Sequence, residues 1–329
     1  MPPPRKHNLY AATAPMRRWP HNPVWIVAAG FLTAACAVGC GRRTPGPPPS
    51  DSTVGPARPR VVSLAPNLTE MVCAVGAADC LVGRSAVCDY PPDEVKNVPV
   101  VGNFGAPFLE RLLAVEPTLV LEVDLADQAV AGRLQELGIV RQRIVCNSLD
   151  DIPRAIEEVG LAVRHETDAK RLADSFRAKL RSLQTSQPPE ATRPTVFLDI
   201  WPDPLMTAGR PSFVAELVRL AGGRNVADEI DRDYVQVSAE WAISKDPEVI
   251  LCLNDSPSAQ APLAAYRQRP GWGSVRAVRT GRVYGGFDTK VLLKPGPRLL
   301  GNVALLRTAL LKPGTDTAPE PPPPPQGGP

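Results

Sequence analysis

The chain has 329 residues, enough for about two domains of ordinary size. Its formal charge is +3, but Arg5, Lys6, Arg17 and Arg18 lie in the first 40 residues with no acid among them, and the remainder is −1. A near-neutral body lacks the basic footprint of a nucleic-acid binder, which excludes that class.

The 39 prolines are unevenly spread. Residues 1–59 hold 12 and residues 313–329 hold 8, so the foldable body runs over about 60–312, flanked by tails too poor in apolar surface to order themselves. Three histidines occur, His7, His21 and His165. The first two precede an expected cleavage site, so no multi-histidine metal centre can be assembled. Ser-His-Asp or Cys-His catalysis would rest on His165 alone, in a polar helical stretch that reads as solvated surface.

Met16-Arg17-Arg18 precedes an apolar run over residues 24–39 that ends at a cysteine. The charged start and short apolar core read as an export signal, too short for a membrane-spanning helix. Ala37-Val38-Gly39-Cys40 has the form of a bacterial lipobox, with Cys40 as the acylated residue; Thr33-Ala34-Ala35-Cys36 is a competing site. Residues 1–40 are then signal peptide and 41–59 a proline-rich tether to a membrane. Export puts Cys73, Cys80, Cys88, Cys146 and Cys252 in a disulfide-permissive compartment. Their number is odd, so at least one stays unpaired, and their spacings match no metal motif.

Residues 60–65 read as a buried strand, and Asn67 and Thr69 offer capping chemistry for a helix closed by Gly76. A short apolar run at 98–101 and strands at 118–123 and 139–146 alternate with helices near 108–114 and at 126–137. Short strands between helices predict an α/β lobe over 60–148 with a largely parallel sheet. Over 149–190, Ile152, Ile156, Val159, Val163, Leu172, Phe176 and Leu180 recur at helical spacing. This segment is expected to be one long helix, with 164–167 as a candidate break. A second α/β series fills 191–312, with strands at 195–200 and 248–253, helices at 212–221, 239–244 and 258–268, and a last helix at 297–311. Residues 313–329 form a proline-rich tail.

The two series echo one another. LERLLAVEPTLVLEV (109–123) aligns with AEWAISKDPEVILCL (239–253), matching Glu110 with Glu240, Glu116 with Asp246 and Pro117 with Pro247. The alignment favours a pseudo-duplicated two-lobe protein.

RVVSLAPNLTE (60–70), CDYPPDEVKNVPVVGNFGAPFLERLLAVEPTLVL (88–121), VFLDIWPDPLMTAGRPSFVAELVRLAGGRNV (196–226), YVQVSAEWAISKDPEVIL (234–251) and RVYGG (282–286) span the body. In this order they resemble the cobalamin/iron-siderophore substrate-binding proteins of ABC importers. That family has two Rossmann-like α/β lobes joined by a single long backbone helix, with the ligand cleft between them. The resemblance implies a non-enzymatic, monomeric binding lipoprotein that delivers cobalamin or a related corrinoid to a permease and its ATPase. An iron-siderophore or haem ligand is the alternative. It implies that Glu110 and Glu240 dock on the permease, and it points to Phe104, Trp201 and Tyr234, with Tyr90 nearby, as walls for a flat chelate. Asp288, Lys294 and Arg298 would contact its edge, although residues 287–294 differ from the family in length and order and Val87 stands where an aromatic is expected. A nucleotide-using enzyme is the contrasting class; no G-x-G-x-x-G or P-loop follows a strand in the body. An exported scaffold that has lost its ligand is the third.

Overall fold

The computed structural model describes residues 58–125, 127–254 and 261–314. The expected export signal, with Cys36 and Cys40, and most of the proline-rich tails lie outside these residues.

The first lobe is built on a six-stranded sheet of β1 (Val61–Ser63), β2 (Leu81–Ser85), β3 (Val100–Asn103), β4 (Ala106–Pro107), β5 (Leu119–Glu122) and β6 (Val140–Arg143). Its order is β4-β3-β2-β1-β5-β6, parallel throughout except for the β3–β4 hairpin. Helices α1 (Pro66–Ala74), α2 (Pro92–Val95), α3 (Leu109–Ala114) and α4 (Gln128–Glu136) supply the crossovers. The central strands β1 and β5 read as apolar runs because both faces of the sheet are covered there, whereas the edge strand β6 (Val140–Arg143) is polar and largely exposed. Val61 and Leu121 face one core and their neighbours Val62 and Val120 the other, as the two-residue pleat requires. Asn67 and Thr69 do not cap α1. Both are buried within it, Ala65 is the N-cap, and proline occupies the first helical position, where its missing N–H has no role. The Thr69 hydroxyl instead donates to Ser63 Oγ at 2.8 Å, which ties the helix to β1.

The segment expected as one long helix is two, α5 (Asp151–Val163) and α6 (Glu166–Thr185). Arg164 adopts the left-handed conformation, φ 62° and ψ 40°, and its N–H closes the end of α5 on Gly160 and Leu161. The chain then doubles back. A methyl group on Gly160 would collide with Ala169 of α6, and Arg177 reaches across the pair to Glu157 at 2.7 and 3.0 Å. Only a glycine allows this close crossing. His165 sits in the turn, a third exposed, with Nδ1 3.7 Å from Asp168. Helix α6 alone, 20 residues or about 30 Å long, carries the chain into the second lobe.

That lobe has a parallel sheet of β7 (Thr195–Asp199), β10 (Arg224–Asn225), β12 (Val249–Cys252) and β13 (Val283–Tyr284), in the order β10-β7-β12-β13. A smaller antiparallel sheet of β8 (Trp201–Pro202), β9 (Leu205–Ala208) and β11 (Tyr234–Gln236) adjoins it. Helices α7 (Phe213–Ala221), α8 (Ala239–Ser244), α9 (Ala261–Gln268), α10 (Arg276–Arg279), α11 (Thr289–Leu292) and α12 (Val303–Leu311) complete the described residues. One continuous apolar core runs from β1 and α1 through α5 and α6 to β7, α7 and α12, so the lobes share an interior. Phe197, Ile250, Tyr266 and Trp272 form a separate core on the other face of the second sheet.

All five described cysteines are unpaired thiols. Burial pushes the Cys73 and Cys146 thiols up to about 12, so both behave as small apolar groups rather than nucleophiles.

Candidate ligand cleft

In open parallel sheets, ligands bind beyond the carboxyl ends of the strands. Most of the expected aromatic residues lie there. Tyr90 follows β2, Phe104 directly follows β3, and Trp201 lies two residues beyond the end of β7. Phe104 stands at the tip of the β3–β4 hairpin and is 44% exposed. The next residue, Gly105, has φ +62°, and a Cβ there would strike the Asp124 carbonyl, so the hairpin needs glycine to seat Phe104. Trp201 is 55% exposed, with its indole N–H donating to the Asp203 carbonyl at 2.8 Å. Tyr234 opens β11 opposite Ala208 and is half-buried against the main core. Large exposed aromatic faces are costly to leave in water and are suited to covering a flat apolar ligand.

The polar residues expected at the ligand's edge are engaged within the protein. Asp288 caps α11, accepting from the Lys290 N–H at 3.0 Å. Lys294 Nζ lies 3.7 Å from Asp89, whose other carboxylate oxygen takes Lys290 Nζ at 2.5 Å. The Arg298 guanidinium donates to Glu70 Oε2 at 2.9 Å while its backbone N–H donates to Glu70 Oε1 at 3.1 Å. It also lies 3.2 Å above the centre of the Tyr90 ring. Segment 288–298 of the second lobe is therefore clasped to the first by paired charges and a cation–π contact. Burial works against the charge of Asp89, yet the Lys290 hydrogen bond and the Lys294 and Lys290 charges outweigh it and hold the carboxyl below the usual aspartate range. Sequence reasoning reached Lys294 and Arg298 but missed Asp89, Glu70 and Lys290. Asp89 and Glu70 stand within matched motifs, but their partners are 201 and 228 residues away. A cavity of about 420 Å³ lies between α6 and residues 297–301; Arg298 reaches it, whereas Phe104, Trp201 and Tyr234 do not line it. Among the described residues no cluster of His, Cys, Asp or Glu could hold a metal ion, and no helix is long and apolar enough to cross a membrane.

Glu110 and Glu240 are exposed in the first turns of α3 and α8, one on each lobe. Each stands beside an aromatic residue with a cation over its ring, Arg111 over Phe108 and Lys245 over Trp241. Hydrogen bonds from its own backbone N–H and from Ser238 hold the Glu240 carboxyl below the usual glutamate range.

Two α/β lobes share one core, with solvent-facing aromatics at the ends of strands in both. A family model described as "Periplasmic binding protein" matches residues 61–288, and the chain belongs to that family. It is 31% identical over 211 residues to a vitamin B12-binding protein of Pectobacterium carotovorum, covering 64% of this chain and 76% of the relative. It is 28% identical to the uncharacterised ABC transporter substrate-binding lipoprotein YvrC of Bacillus subtilis, over 79% of this chain and 82% of the relative. Among solved structures, the apo periplasmic haem-binding protein RhuT of Roseiflexus sp. RS-1 superposes with a TM-score of 0.66 at 26% identity, covering 77% and 98% of the two chains. The protein is thus a substrate-binding protein of the ABC-transporter type, not an enzyme.

Proposed function

We propose that this protein captures cobalamin or a related corrinoid in the interlobe cleft and hands it to an ABC permease. The observation that carries this reading is the placement of Phe104 and Trp201, half-exposed aromatics beyond the strand ends of opposite lobes. A corrin is a broad disc, and an aromatic wall on each side buries its apolar faces while leaving its rim to polar groups. The similarity to a vitamin B12-binding protein supports the same ligand class. Tyr234 and Tyr90 extend the walls. Glu110 and Glu240 present one carboxylate per lobe for charge-assisted pairing with arginines of the permease. Acylation of Cys40 would hold the exported protein at the periplasmic or outer face of a bacterial membrane, in keeping with a lipoprotein relative.

Calorimetric titration with cyanocobalamin, cobinamide and haem tests the ligand. Saturable one-to-one binding of both corrinoids, lost in the Phe104→Ala/Trp201→Ala double variant, is the expected result. No heat with either corrinoid on folded protein overturns it. Haem is the second reading, supported by the structural likeness to a haem binder. For docking, Glu110→Ala and Glu240→Ala should leave ligand affinity unchanged and lower uptake into vesicles holding the transporter. Unchanged uptake in the double variant would remove both glutamates from the interface.

A further inference from the structure

Segment 288–298 carries three cations, Lys290, Lys294 and Arg298. Each lies within ion-pair distance of a carboxylate from the first lobe: Asp89 receives both lysines and Glu70 receives the arginine. With Asp288 at the head of α11, these six side chains sum to zero charge. The two carboxylates differ in setting. The Glu70 side chain is only 8% exposed, so its pair with Arg298 is largely shielded from water. Asp89 is 39% exposed in the loop after β2, while Lys290 lies in the first turn of α11, after β13, so this pair joins a loop of the first lobe to a short helix of the second.

We infer that Asp89 determines which class of chelate the cleft accepts, by neutralising Lys290 and Lys294 and so favouring ligands with uncharged rims. The inference rests on the proposed cleft. A corrinoid with an amide rim can exchange hydrogen bonds with the clasp and leave its charges paired. A porphyrin with two carboxylates at its rim must draw the lysines from Asp89, leaving that carboxylate beside its own anionic groups. Asp89 and Lys290 are partly exposed, so water and salt screen this repulsion in part, and the discrimination should weaken as ionic strength is raised. Asp89 is a selectivity residue that excludes acidic ligands through the lysines it holds.

The test is the ratio of haem to cyanocobalamin affinity, measured by titration at fixed ionic strength. Asp89→Asn removes the negative charge at nearly constant shape and should raise haem affinity at least tenfold while changing cyanocobalamin affinity less than threefold. The Lys290→Gln/Lys294→Gln double variant should shift the ratio the opposite way, because Asp89 then faces the ligand unpaired. This second variant serves equally if Asp89→Asn destabilises the protein. A ratio that is the same in all three proteins overturns the inference, as does a wild-type protein that prefers haem. If the wild type takes neither ligand but Asp89→Asn takes haem, the selectivity role stands and the corrinoid reading fails. If no protein binds either, both fail.

Discussion

Glu116 and Asp246 occupy the same left-handed backbone conformation, φ 45° and 40°, at matching positions of the two lobes. Each follows a six-residue helix and precedes a proline and then a four-residue strand, α3 to β5 in one lobe and α8 to β12 in the other. A residue with a Cβ is disfavoured there by about 1–2 kcal/mol. Its occurrence twice, at the aligned positions, gives the internal repeat a backbone signature that sequence similarity alone does not.

The two positions should respond differently to glycine. Glu116 is exposed, so Glu116→Gly relieves the backbone and should stabilise by up to about 1 kcal/mol after the entropy of glycine is offset. Asp246 Oδ1 accepts from the Arg276 N–H at 2.7 Å at the start of α10, and losing that cap costs about 1 kcal/mol. Asp246→Gly should therefore be neutral or destabilising. Urea unfolding of both variants decides it, and equal gains would refute the asymmetry.

Arg298→Ala should destabilise by about 3 kcal/mol, because it leaves the buried Glu70 carboxylate without its cation. Arg298→Lys should recover only part of the loss, since an ammonium cannot reproduce the planar stack on Tyr90. Full recovery with lysine, read from thermal unfolding, would reduce the contact to simple charge pairing.

Asp199 lies at the end of β7, 1% exposed, with Oδ2 accepting from the Tyr266 hydroxyl at 2.8 Å. Burial raises its carboxyl above the ordinary value, opposed by the Tyr266 hydrogen bond and the Arg269 charge. Because the folded state then holds its proton more tightly than the unfolded state, stability falls as pH rises from about 4 through the raised value. Tyr266→Phe removes the opposing hydrogen bond, raises the carboxyl further and should cost about 1.5–3 kcal/mol at neutral pH. The deficit should shrink as the pH is lowered toward 4. A deficit independent of pH in denaturant titrations would show that Asp199 is neutral throughout.

Gly160→Ala should destabilise by about 1–3 kcal/mol by overpacking the crossing of α5 and α6 against Ala169. Adding Ala169→Gly should restore most of it. Because alanine is the better helix former, helix propensity alone would make Gly160→Ala stabilising, so a double variant no better than the single one would show that the Ala169 methyl is not what the substitution strains against.

The lobes are legible in the sequence because strands buried on both faces produce apolar runs that need no partner to be recognised, as at residues 61–65 and 249–253. The aromatic candidates come from the family resemblance, and the fold puts Tyr90, Phe104 and Trp201 in the loops after β2, β3 and β7. The break after Val163 is harder to read. No glycine or proline marks it, and Arg164 takes a conformation that glycine usually supplies. The small antiparallel sheet leaves no trace because β8 has two residues and pairs with β9 across a tight turn, while β11 joins from 26 residues farther along. Such short strands carry no periodic signal of their own.

While the aromatic candidates rest on the family resemblance, local periodicity, composition and the internal repeat already encode alternating helices and strands, two related lobes and an apolar leader ending at a cysteine. They do not encode that the lobes share one core, that the connecting segment folds back on itself, or that Asp89 and Glu70 are matched with Lys290, Lys294 and Arg298; these appear with the assembled fold. The reason is range. A hydrogen-bonded turn or an apolar stripe is written within a few residues, whereas an ion pair spanning two hundred residues exists only once both sheets are assembled and the loops beyond their strands are brought together.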